Sequence, residues 1–243
     1  MKYISSFLIA VALLCSSCSS QETMEELTAR VFERAAVQLP ILDKNLDSAA
    51  LSNPAQAIYP RSIKRDGSFW TSNYKWWCSG FYPGSLWYVY EYTGDEAFIE
   101  KVYRASLDYL KLWEIGENNL VVHRGGSWDW ADWGSKADMT AIENAWIYYA
   151  LSAMEEMADV LGKSEDATFL AERKTAIAEG YKTLWTEDGY KSKDVRKPDD
   201  RANALAVLSG IAEEEQYGDG DVAAHNRQHS RIVGEHAEHL LRE

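Results

Sequence analysis

The sequence predicts an all-α chain of repeated helical hairpins, as in an α/α toroid. Apolar residues recur at helical spacing wherever a stretch can be tested, and strand alternation is almost absent. Two corners also resemble each other. Glu91-Tyr92-Thr93-Gly94-Asp95-Glu96-Ala97-Phe98 and Val160 through Phe169 each end a helical pattern on Gly and restart one with acids and a Phe. Gly takes the left-handed cap that other residues resist, Asp95 or Ser164 suits the next cap, and first-turn acids favour the positive helix end. Recurrence of such a unit is the mark of stacked hairpins.

In chain order, the first residues read as an export signal. Lys2 supplies the positive end, Phe7 to Leu14 are apolar, and Cys15-Ser16-Ser17-Cys18 closes the run. A single-segment membrane anchor is the other reading, but the run is short for one. Helices are expected at roughly 24–46, 81–92 and 96–113. From Ile142 an apolar stripe runs through Ala145, Trp146, Tyr149, Ala153, Met154 and Met157, with Glu143, Asn144, Glu155, Glu156 and Asp159 largely off it. A second stripe follows through Leu170, Ile177, Tyr181 and Leu184, and a last helix is expected at 200–213. The organisation this gives is a signal at 1–18, a helical domain at 19–217 and a divergent His-rich tail at 218–243.

The balance of 38 acidic against 25 basic residues argues against nucleic acid as a partner. Once the signal is removed, Cys78 is the one cysteine left inside, which excludes a disulfide framework and suits a small buried residue. His225 and His229 stand one helical turn apart, but no Glu follows His225 to make a zinc-protease motif, so neither a metal nor a cofactor is expected.

Eight of the ten tryptophans fall in two bursts beside carboxylates: Trp70, Trp76, Trp77 and Trp87, then Trp128, Trp130, Trp133 and Trp146. Indole faces stack on the apolar faces of pyranose rings while carboxylates take the hydroxyls, so the bursts point to an oligosaccharide cleft. Burial as core aromatics is the alternative, strongest for Trp87 and Trp146 inside helical patterns. The chemistry-bearing segments 66–80, 126–139 and 194–203 each enter an expected inner helix, so they are expected on one face. Hydrolysis of a glycoside needs a carboxyl kept protonated by burial and a carboxylate that activates water. Asp129 and Asp132, three residues apart among indoles, are the candidate pair; their alternative role is to bind hydroxyls or cap the next helix. Glu143 and Asp200 are candidate sugar-binding residues. Arg201 can fork onto a substrate carboxylate or pair with Asp199 or Asp200.

The signal run resembles that of bacterial lipoproteins, with Cys18 as the lipid-bearing residue, which implies a chain tethered by lipid in the periplasm or at the cell surface. Over about 24–110, the motifs Pro60-Arg61-Ser62, Asp66-Gly67, Trp76 through Trp87 and Tyr90 through Asp95 resemble glycoside hydrolase family 88, the unsaturated glucuronyl hydrolases. Over about 120–217 the likeness changes. Gly126-Ser127-Trp128-Asp129-Trp130-Ala131-Asp132-Trp133-Gly134, Ile142 through Trp146 and Asp199 through Gly210 resemble the family 78 α-L-rhamnosidases. Both resemblances imply an (α/α)6 six-hairpin toroid, of which about half the helices are expected. The first, carried by the longest unbroken motif, implies the leading expectation, hydration of the C4=C5 double bond of an unsaturated uronic acid at an oligosaccharide's non-reducing end; the second implies the alternative, cleavage of a rhamnoside. At His123-Arg124-Gly125 the chain carries Arg where family 88 places a catalytic aspartate, and the rhamnosidase acid motif has no counterpart. A non-catalytic sugar-binding lipoprotein and a truncated or frame-altered fragment, with likeness ending after Gln216-Tyr217, are the alternatives to an enzyme.

Overall fold

The computed structural model describes residues 22–52, 59–73, 75–125 and 137–213, with residue 50 described by its backbone alone. Cys18, segment 126–136 with Trp128, Asp129, Trp130, Asp132 and Trp133, and the His-rich stretch with His225 and His229 lie outside the described residues. Six helices dominate the described residues, and the fold class is all-α. None of them is long and apolar enough to cross a membrane. The chain forms two compact units, Met1–Ser85 and Leu86–Glu243.

In the first unit, helix α1 (Met24–Ser52) begins at a capping box. The Glu26 N–H donates to Thr23 Oγ1 at 3.1 Å and the Thr23 N–H returns a bond to Glu26 Oε2 at 2.9 Å. The helix runs beyond the expected end at 46. Two short strands follow where sequence patterning gave none: β1 (Tyr59–Ile63) pairs antiparallel with β2 (Phe69–Ser72). Their turn closes through Asp66, whose Oδ1 accepts from the Ser68 N–H at 2.9 Å and hydroxyl at 2.7 Å. Those bonds hold the Asp66 carboxyl below the usual range. Strands of five and four residues are too short for alternation to register. The pairing slips between Pro60 and Ser62, so Arg61 is the extra residue of a bulge, a device that re-aims a side chain.

Helix α2 (Phe81–Thr93) leads into the second unit, where its buried Leu86 and Val89 lie. Helices α3 (Ala97–Lys111), α4 (Met139–Val160), α5 (Ser164–Lys182) and α6 (Asp200–Leu208) follow, with a hairpin of β3 (Trp185–Thr186) and β4 (Gly189–Tyr190) between the last two. Both expected corners are present as left-handed glycines, Gly94 at φ 69° and Gly162 at φ 64°. At the second, the Lys163 N–H reaches the Ala158 carbonyl at 2.7 Å and the Gly162 N–H that of Asp159 at 3.1 Å, a Schellman closure. Asp95 accepts from the Ala97 N–H at 3.0 Å. Ser164, by contrast, is the first residue of α5 and not its cap; Lys163 stands there and closes nothing with its side chain. Helix α6 stops at Leu208, short of the expected 213, because Gly210 turns left-handed at φ 74°.

Helix α4 is the centre of this unit, touching α3, α5 and α6. Its buried face is Ala141, Ile142, Ala145, Ile147, Leu151, Met154 and Ala158. Trp146 and Tyr149, expected on the packed stripe, are 55% and 49% exposed. The helix is apolar around most of its circumference, so periodicity alone admits several stripes, and packing against three neighbours chooses one. Leu107, Leu151, Leu170 and Ile177 are fully enclosed in the core, each worth roughly 1.5–3 kcal/mol of transfer free energy.

Candidate functional site

In the first unit, the bulge at Arg61 sets its guanidinium 4.0 Å from the Trp70 ring centroid and 5.3 Å from that of Trp76. Cation–π attraction holds the guanidinium by its faces and leaves its edge donors available. Among the described residues no carboxylate pairs with Arg61. Trp77 is 86% exposed and Trp70 43%, so two of the expected indoles of this burst present surface to solvent. Cys78 is half-buried rather than buried.

In the second unit, Trp87 is half-buried, its ring tilted on Tyr90 at 5.4 Å and its Nε1–H donating to Glu91 Oε1 at 2.7 Å. Glu143 is engaged by His123, whose Nδ1 lies 2.9 Å from its Oε1. Asn144 is fully buried and accepts the Val121 N–H at 2.9 Å, pinning the 112–125 loop to α4.

The entrances of α4 and α6 meet directly. Asp138, 1% exposed, caps α4 by accepting the Ala141 N–H at 3.2 Å, and its other oxygen accepts the buried Ser192 N–H at 2.6 Å. Its own N–H donates to Asp199 Oδ2 at 3.1 Å. Asp199 in turn caps α6 through the Arg201 N–H at 3.0 Å and takes that arginine's fork, Nε at 2.8 Å and Nη2 at 2.7 Å. The Arg201 bonds hold the Asp199 carboxyl below its ordinary range and so favour its ionised form. Of the two roles open to Arg201, the structure shows the ion pair; a substrate carboxylate would have to compete with Asp199. Two residues on, Asn203 Oδ1 accepts the Tyr190 N–H at 2.8 Å and Nδ2 donates to the Tyr190 and Asp199 carbonyls, both at 3.0 Å. The Asp199 to Asn203 run is therefore chiefly a clamp that fixes the β3–β4 hairpin to the start of α6.

Asp200 is the member of that run left over. It lines a cavity of about 400 Å3 with Trp185, Glu187, Asp188, Tyr190 and Val207. Asp138, Trp185, Glu187 and Asp188 were not singled out from sequence. Trp185, Glu187 and Asp188 meet Asp200 only in the folded chain, and the buried cap at Asp138 is visible only once its Ser192 partner is in place. Burial first, and the nearby Glu91 carboxylate second, raise the carboxyl of Glu156, although it reaches solvent. It lies near the C-terminal end of α4, away from these entrances. No group of three His, Cys, Asp or Glu residues among the described residues is placed to hold a metal. The candidate acid–base pair, Asp129 and Asp132, belongs to the segment outside the described residues.

The bacterial alpha-L-rhamnosidase 6 hairpin glycosidase domain family matches residues 24–238, taking in both stretches of motif likeness. No curated protein matches the chain. A solved α-L-rhamnosidase from Dictyoglumus thermophilum is similar at 21% identity with a TM-score of 0.45, over 64% of this chain and 19% of that one.

Proposed function

Because the chain belongs to the bacterial α-L-rhamnosidase six-hairpin glycosidase family, we propose that it binds the non-reducing end of an oligosaccharide and hydrolyses an α-L-rhamnoside. The observation that carries this reading is the junction of the α4 and α6 entrances through Asp138 and Asp199, beside a cavity walled by Trp185 and carboxylates. It brings two of the acid-bearing segments to one place and supplies stacking and hydroxyl-accepting groups together. Asp129 and Asp132 are the acid and base of the proposal: one protonates the glycosidic oxygen and the other activates water on the opposite face of the ring. An inverting reaction needs their carboxyls roughly 6.5–9.5 Å apart. Incubation with an aryl α-L-rhamnoside tests this; release of the aryl group, lost in Asp129→Asn and Asp132→Asn, is expected. No release from a folded chain would reduce the protein to a sugar-binding role.

A second reading, hydration of an unsaturated uronide, is favoured by Arg61, whose stacked guanidinium, with no carboxylate partner among the described residues, suits a sugar carboxylate. Loss of ultraviolet absorbance from a 4,5-unsaturated uronide disaccharide is its test. Export and tethering through lipid on Cys18 complete the proposal, and placement at a membrane surface fits a saccharide substrate met outside the cytoplasm. Incorporation of labelled fatty acid, abolished in Cys18→Ser, is the expected result.

A further inference from the structure

The cavity between the β3–β4 hairpin and the start of α6 has chemistry that distinguishes among saccharides. One wall is aromatic and rigid. Trp185 meets Tyr190 edge to face at 5.0 Å, and Tyr190, 3% exposed, packs on the core residue Tyr181 at 4.7 Å. The outer ring of this column is 38% exposed and lines the cavity with the apolar Pro198, Val207 and Ala212. An indole already fixed by its neighbours loses little conformational freedom when a ring stacks on it.

Beside the neutral Asn203, the charged lining among the described residues is of one sign. Glu187 and Asp188 from the hairpin turn and Asp200 from the first turn of α6 face the cavity, and among the described residues no Lys, Arg or His lines it. Among the described residues none of these three carboxylates has an ion-pair or side-chain hydrogen-bond partner, whereas Asp138 and Asp199 beside them are saturated. They are acceptors with nothing to accept. A cation would use them, but they do not converge as metal ligands do. An anionic ligand would meet three like charges and no counter-charge. What remains is a neutral donor-rich ring with an apolar face, and a volume of about 400 Å3 lies within the roughly 300–1,000 Å3 of small-ligand pockets.

We propose that this cavity is a subsite for a neutral pyranose, with Trp185 as platform and Glu187, Asp188 and Asp200 as hydroxyl acceptors, and that it rejects uronides. The inference rests on the reading of the chain as a saccharide binder. The test follows the indole N–H signal of Trp185, assigned in the 15N-labelled full chain by its loss in Trp185→Phe. Methyl α-L-rhamnopyranoside should shift that signal saturably and methyl α-D-galactopyranosiduronate should not. Trp185→Ala should weaken the rhamnoside about two- to tenfold, followed by the sugar's own proton signals. Glu187→Gln/Asp188→Asn, on an exposed turn, should admit the uronide, as should raised salt. Equal response to both sugars, or to neither, overturns the proposal. Aryl rhamnoside turnover without any Trp185 shift would leave the hydrolase reading and remove the subsite; a selective shift without turnover would do the reverse.

Discussion

The Asp138 carboxylate ties the start of α4 to the 192 loop, and its removal has a calculable cost. In Asp138→Ala the α4 cap is lost, worth about 1 kcal/mol. The Ser192 N–H, buried and bonded at 2.6 Å, is left without an acceptor, at about 1–3 kcal/mol. A loss of about 3 kcal/mol in a domain of this size lowers the melting temperature by roughly 6–12 °C. Asp138→Asn keeps one acceptor but turns a donor toward either Ala141 or Ser192, so it should fall between wild type and Ala. Thermal unfolding followed by far-ultraviolet circular dichroism measures the order, and hydrogen exchange at the Ser192 amide locates it. An alanine variant melting within about 2 °C of wild type, beneath the range calculated from the cap and the stranded donor, would refute the assignment of Asp138 as the knot between the α4 entrance and the 192 loop.

Three further outcomes are expected. The Arg201 guanidinium holds the Asp199 carboxyl below the ordinary aspartate range in the folded chain, so its contribution is fully present above that ordinary range and is lost as pH falls through the depressed folded pKa; urea titrations from pH 5 downward should show a decline that Asp199→Asn flattens. Asn203→Ala removes three bonds that clamp the hairpin and should cost about 2–3 kcal/mol, read as a lower urea midpoint with an unchanged slope. Alanine at Gly180 would put its Cβ 2.5 Å from the Asn119 carbonyl oxygen, so Gly180→Ala should destabilise by roughly 1–3 kcal/mol despite better helix propensity, whereas Gly84→Ala, with nothing within 4 Å, should not.

Local chemistry made much of the helical frame legible. The corners at Gly94 and Gly162 bracket α2, α3, α4 and α5 because a left-handed cap and an acidic first turn act within a few residues. The same locality explains the errors. Trp146 belongs to a helix that is apolar on several sides, and its exposure was set by where α3, α5 and α6 pack. The short strands carry Arg61 onto Trp70 and Trp76 through one bulged residue, which no alternation announces.

The amino-acid order alone fixed the all-α class, the glycine corners and the concentration of acids and indoles near helix entrances, since each depends on backbone preferences or on neighbours along the chain. Tertiary packing decided which of those acids are occupied: Asp138 by Ser192, Asp199 by Arg201 and the Asp138 amide, Glu143 by His123. It also set Asp200 beside Trp185, Glu187 and Asp188 around one cavity, with no ion-pair partner for these acids among the described residues. A carboxylate's role depends on which donors reach it in space, and several of these come from segments distant in the chain.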